Sequence, residues 1–117
     1  MEKKRVVLYC RVARDDAFSL KSQAEELRRY ADHNGYTIAG VMSESGSGLT
    51  LNRPALSEVT KAVYKGKADV VLVKNLARIG RKRGLVQEYI DFLNEHKVTL
   101  LCVTERLKIS DHNLYPF

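Results

Sequence analysis

An α/β fold is predicted, built as three layers: a mainly parallel four-stranded sheet with helices on both faces. Three observations predict it. Four short runs rich in Val, Leu, Ile and Tyr alternate along the chain with three longer segments whose apolar residues recur every three or four positions. Such alternation leads to parallel pairing through right-handed crossovers. The third run, residues 69–73, is apolar after its first residue, as expected of a strand covered on both faces.

The elements follow in order. Residues 5–10 (RVVLYC) are a β-branched and aromatic run, read as the first strand. Residues 11–18 form a polar connection. Ser19 is placed as the N-cap of a helix running to His33. Leu20, Ala24, Leu27, Tyr30 and Ala31 share one face of it, and Gly35 closes it. Residues 36–42 are the second strand. Residues 43–52 are rich in Ser and Gly and have no period, so they are read as a long loop, a length often tied to function. Pro54 suits the first turn of a second helix, with Leu56, Val59, Ala62 and Val63 inward and Gly66 at its end. The third strand follows, then a basic stretch at residues 74–83. Residues 84–95 make a third helix with Leu85, Tyr89, Ile90 and Leu93 inward, and residues 98–103 a fourth strand. Residues 104–117 carry no assignable element.

The chain has 117 residues, 44% hydrophobic and 29% charged, which suits one globular domain spanning the whole length. No apolar run approaches the roughly 20 residues of a membrane span, and Arg11 ends the first run too early for a signal-peptide core. Cys10 and Cys102 fall in strands, as buried thiols of a reducing, cytoplasmic compartment would. His33, His96 and His112 are scattered without ligand spacing, and His33 and His96 are placed at helix ends. Tyr30, Tyr64 and Tyr89 are placed on core-facing helix stripes. Asp15 and Asp16 form an acidic pair after the first strand. A metal site of that kind needs a further carboxylate after the third strand, where Lys74 and Ala77 stand instead. The run Gly46, Ser47, Gly48 follows the second strand and leads to Arg53 and Pro54, which is not a dinucleotide fingerprint.

The formal net charge is +6, and the stretch KNLARIGRKR (residues 74–83) holds five basic residues and no acidic one. It lies just past a strand, at the sheet edge where open α/β folds bind ligands. Arginine forks there suit phosphate oxygens, but a solvated loop reads equally well from the stretch alone.

Four motifs in order carry a resemblance. Tyr9-Cys10-Arg11-Val12-Ala13 resembles a Tyr-x-Arg-Val-Ser segment, and Ser19-Leu20 with Gln23 resembles Ser-Leu-x-x-Gln. Ser47-Gly48 with Arg53-Pro54 matches the pieces of the next loop, and Leu76 to Arg81 resembles Leu-Asp-Arg-Leu-x-Arg. Together they resemble the catalytic domain of the serine recombinases, the resolvase and invertase family. The resemblance implies a site-specific recombinase: a serine hydroxyl attacks a DNA phosphate, forms a 5′-phosphoseryl link and frees a 3′ hydroxyl, with no metal and no cofactor. It implies that Arg11, Arg53, Arg78 and Arg81 form the arginine cluster, supported by Gln23, and that Lys74, Arg78, Arg81, Lys82 and Arg83 contact DNA phosphates.

The departures matter as much. Ala13 stands at the nucleophile position and has no hydroxyl. Ala77 replaces the motif acid, and Phe18 a common glutamine. The acid before Ser-Gly is Glu44 or Ser43, depending on loop length. Two alanines at two functional positions point to a disabled homologue. Cys10, three residues before Ala13, is expected on the opposite strand face, and Ser43, Ser45 and Ser47 are read as turn residues. Family members usually continue into a long helix and a DNA-binding domain, and neither is expected here. DNA contact is therefore expected to be weak and phosphate-dominated, with a homo-oligomer or an active recombinase as partner. The alternative is a non-enzymatic interaction module that uses the same fold.

Overall fold

The computed structural model describes residues 3–109; residues 110–117, with His112, lie outside it. The elements are β1 (Arg5–Val12), α1 (Ala17–His33), β2 (Thr37–Ser45), α2 (Pro54–Tyr64), β3 (Val70–Val73), a short 3-10 turn (Leu76–Arg78), α3 (Arg83–Glu95), β4 (Thr99–Cys102) and β5 (Leu107–Ile109). The sheet has the order β2-β1-β3-β4-β5. The first four strands are parallel, and β5 runs antiparallel to β4, with Leu100 opposite Ile109 and Cys102 opposite Leu107. The fifth strand corrects the expected four. It has only three residues, too few for a period of two to register, and Arg106 reverses the chain into it at φ 55°.

Each face of the sheet has its own core. Val6, Leu8, Cys10, Leu72 and Leu101 pack with Leu27 and Ala31 of α1. Val7, Tyr9, Val71, Val73 and Leu100 pack with Leu56 and Val59 of α2 and with Ile90 and Leu93 of α3. Neighbouring residues of β1 thus face opposite cores, which is why its sequence reads as an unbroken apolar run. The odd-numbered face continues past Tyr9 to Arg11.

Several boundaries move. Parallel pairing carries β1 and β2 beyond their apolar parts, with Arg11 opposite Glu44 and Val12 opposite Ser45. Asp16, not Ser19, caps α1: its carboxylate accepts the Ser19 N–H at 3.0 Å, so the helix begins at Ala17. Gly35 and Gly66 take φ of 72° and 67° just past α1 and α2, the left-handed closure that glycine adopts without strain. In α3, Val86 takes the core position expected of Leu85, which is half-buried. Tyr64 was expected inward, yet Val63 fills that place, and Tyr64 is 66% exposed and stacked with Phe92 and His96. Tyr89 is buried as expected. His33 ends α1, and His96 is the C-cap of α3, its Nδ1 2.9 Å from the Phe92 carbonyl. Among the described residues no helix is long and apolar enough to cross a membrane.

The strand order places the site. The connection from β1 leads outward to β2, and the next crosses back over β1 to β3. The C-terminal end of β1 is therefore a topological switch point, where adjacent loops diverge and leave a crevice.

At the other edge, Arg5 ties β1 to β3. Its backbone N–H, Nε and Nη2 donate to the Asp69 carboxylate at 2.8, 3.1 and 3.1 Å. These hydrogen bonds hold the Asp69 carboxyl below the usual carboxylate range. A depressed folded-state pKa contributes stability above the unfolded value of about 3.9 and loses it as pH falls through the folded value. The pair is partly exposed, so less than about 1 kcal/mol is involved. Asp69→Asn is expected to be slightly less stable at neutral pH and to converge on the unaltered chain as pH falls through the folded Asp69 value, read from urea unfolding across an acid series.

Candidate functional site at the switch point

Arg11 sits at the end of β1 and Arg53 at the N-cap position of α2, and each is 3% exposed. Neither guanidinium is solvated, so their donors need buried partners. Arg11 donates through Nε to the Arg78 carbonyl at 3.0 Å, through Nη1 to the Gly46 carbonyl at 2.7 Å, and through Nη2 to the Ala77 carbonyl. Arg53 donates through Nη1 to the carbonyls of Ser47 and Thr50 at 2.9 and 3.0 Å, and through Nη2 to those of Arg78 and Ile79. The two side chains thereby stitch the β2–α2 loop to the loop after β3. Gln23, also buried, holds the Arg11 backbone: its Nε2 donates to the Arg11 carbonyl at 3.1 Å, and its Oε1 faces the Arg11 N–H at 3.4 Å.

Glu44 completes the frame. Its carboxylate accepts the N–H groups of Ala55 and Leu56 at 2.8 and 3.1 Å, which caps α2 from outside the helix, and accepts the Tyr9 hydroxyl at 2.6 Å. It lies 3.6 Å from the Arg53 Nε. The Arg53 guanidinium lies over the Tyr9 ring, 5.9 Å from its centre. Of the two candidates for the loop acid, Glu44 therefore faces the arginines. Ser43 is on the opposite face, hydrogen-bonded to Cys10.

Above this frame lies the basic stretch. Arg78 is half-buried, and its Nε is buried with no partner. The Arg81 side chain is exposed, while its backbone N–H donates to the Gly48 carbonyl at 2.7 Å. Arg81, Lys82 and Arg83 line an open cleft of about 360 Å³ with Leu76, Ala77, Gly80 and Val86. Lys74, expected beside them, turns to α1 and pairs with Glu26 at 3.7 Å. Ala13 is exposed in the bend after β1, and Ala77 is exposed in the basic stretch. Burial, then the positive charges of Arg53, Arg78 and Arg81, push the Arg11 pKa down. Such a cluster of unbalanced positive charge at a crevice is suited to an anion.

The Arg53 Nε and Asn75 Oδ1 are also buried without a hydrogen-bond partner. Asp16 caps α1, and Asp15 accepts the Ser45 hydroxyl at 2.7 Å. Cys10 faces the α1 core, and burial raises its thiol pKa to about 11. Tyr9 and Gly48 were read as motif members without a site role: one is a strand residue of ordinary type, the other a loop glycine whose neighbours Arg11 and Arg81 are distant in sequence.

The family described as "Resolvase, N terminal domain" matches residues 6–114. Among solved structures, the chain is similar to the N-terminal catalytic domain of TP901-1 integrase, at 27% identity over 92% of this chain and 83% of that one, with a TM-score of 0.85. It is similar to the C-terminal catalytic domain of ISC1926 TnpA, an IS607-like serine recombinase, at 29% identity over 85% of this chain and 69% of that one, TM-score 0.79. A resolvase family site-specific recombinase from Streptococcus pneumoniae shares the fold at 24% identity over 93% and 78% of the two chains, TM-score 0.80.

Gly48 is packed against both layers of the site. A Cβ there would overlap the Arg81 Cγ and lie 2.9 Å from the Arg11 Nη2. Gly48→Ala is expected to cost about 1–3 kcal/mol in urea unfolding. Gly84→Ala, where nothing lies within 4 Å, is expected to be neutral or slightly stabilising.

Proposed function

The chain belongs to the resolvase N-terminal domain family, and on that premise we propose that it is a recombinase-type domain that holds DNA phosphates but no longer cleaves the strand. The observation that carries this is the Arg78 Nε, buried without a partner beside the exposed Arg81. An unsatisfied buried donor costs free energy, more so when charged, and a phosphate oxygen would supply the missing acceptor. The same oxygen would offset the charge that depresses Arg11. In this reading the four arginines divide their work. Arg11 and Arg53 brace the loops through carbonyls, with Gln23 behind Arg11, and Arg78 and Arg81 face the phosphate, with Lys82 and Arg83 at the rim. Lys74, engaged by Glu26, contributes only long-range charge.

Strand cleavage is a different matter. Attack on phosphorus needs a lone pair in line with the leaving oxygen, and the Ala13 methyl has none. The Cys10 thiol faces the α1 core and, with its pKa raised to about 11, stays protonated at neutral pH. The Ser45 hydroxyl is given to Asp15. At position 77 the acid is missing, and Arg11 is held by the main-chain carbonyl instead. Phosphate contact carries no base information, so the arginines contribute affinity and not sequence choice.

Binding to a short duplex tests the reading. The chain is expected to bind at low salt and to weaken steeply as salt rises. Arg78→Ala/Arg81→Ala is expected to bind less tightly, with the slope of log K against log salt reduced by about 2. Absence of binding by the unaltered chain at low salt would sink the proposal and make the basic stretch a solvated loop or a protein contact. A second test is covalent trapping on a nicked substrate under denaturing conditions. Ala13→Ser alone is expected to yield no phosphoseryl adduct, because Ala77 remains; an adduct would mean that Ala13 is the only lesion.

A further inference from the structure

Leu49 is 58% exposed in the middle of the β2–α2 loop. Its position is imposed from both sides. Its own N–H donates to the Ser47 Oγ at 3.0 Å. On one side the Gly48 carbonyl accepts the Arg81 N–H at 2.7 Å, and on the other the Thr50 carbonyl accepts the Arg53 Nη1 at 3.0 Å. The space beneath, where a Cβ on Gly48 would go, is filled by Arg81 and Arg11. The backbone is therefore held, and the leucine is presented to solvent next to the exposed Arg81. An isolated exposed leucine is ordinary on a protein surface. One held on a fixed backbone beside Arg81 meets whatever that arginine holds.

We propose that Leu49 makes an apolar contact with the deoxyribose and base edge next to the phosphate held by Arg78 and Arg81. This rests on the phosphate-holding reading above and adds the second chemistry of the same ligand. In duplex DNA each phosphate is flanked by sugars and groove-facing base edges, and minor-groove binders insert leucine and other apolar side chains beside their backbone contacts. Positive charge alone would hold any polyanion. An apolar side chain at fixed distance from it distinguishes a nucleic acid, which offers sugar and base carbon, from inorganic phosphate, which offers none.

The test is duplex binding by the unaltered chain, Leu49→Ala and Arg81→Ala across a salt series, with thermal unfolding of each. Leu49→Ala is expected to keep its melting temperature, since the side chain is exposed, and to lose about tenfold in affinity at every salt concentration. Its salt slope is expected to match the unaltered chain, because no charge is removed, whereas Arg81→Ala lowers the slope by about 1. Competition by inorganic phosphate is expected to be equal for the unaltered chain and Leu49→Ala. Unchanged affinity in Leu49→Ala overturns the inference and leaves the phosphate reading intact. A loss of affinity accompanied by a flatter slope also overturns it, because Leu49 would then merely hold Arg81 in place. Absence of duplex binding by the unaltered chain overturns both.

Discussion

Two guanidinium groups buried beneath the C-terminal edge of the sheet hold the site together. Arg11 and Arg53 have almost no solvent, and each turns to backbone carbonyls of two loops that come from different parts of the chain. The Arg78 carbonyl accepts from both side chains and links them. Only arginine meets this demand. Its planar fork presents five donors in fixed directions, and its charge persists where a lysine would give up its proton. Loops with no periodic structure of their own thereby gain a defined shape.

The frame also explains the placement of a well-shielded acid. Glu44 sits opposite Arg11 in the ladder between β1 and β2, where it accepts from the first turn of α2 and from Tyr9 and lies close to Arg53. A single carboxylate thus serves helix capping, strand anchoring and charge balance. It balances only part of the cluster, and Arg78 and Arg81 above it are left with surplus positive charge. Ala13 carries no hydroxyl and Ala77 no carboxylate.

Much of this was legible in the chain. The alternation of apolar runs and helical stripes gave the layers, because strand and helix periods depend on neighbours two to four residues away. The arginines and the two alanines were read from motif spacing. Local capping was less legible: Ser19 was read as the N-cap of α1, but Asp16 caps it, because its carboxylate reaches the N–H three residues on. The strand β5 was missed because three residues hold no pattern, and Tyr64 was misplaced because Val63, one position earlier, fills the inward slot.

The sequence by itself determined the fold class and the family motifs, since both are matters of residue type and local spacing. Only the tertiary structure decided what each arginine does. Arg11, Arg53, Arg78 and Arg81 are the same residue, yet Arg11 and Arg53 are taken up by carbonyls, Arg78 keeps a buried Nε without a hydrogen-bond partner, and Arg81 lines the open cleft. The partners that make the difference lie far along the chain: Arg11 bonds to Arg78 and Gly46, and Arg53 to Arg78 and Ile79. Charge can be counted along a chain, but the destination of a hydrogen bond depends on which loops the sheet brings side by side.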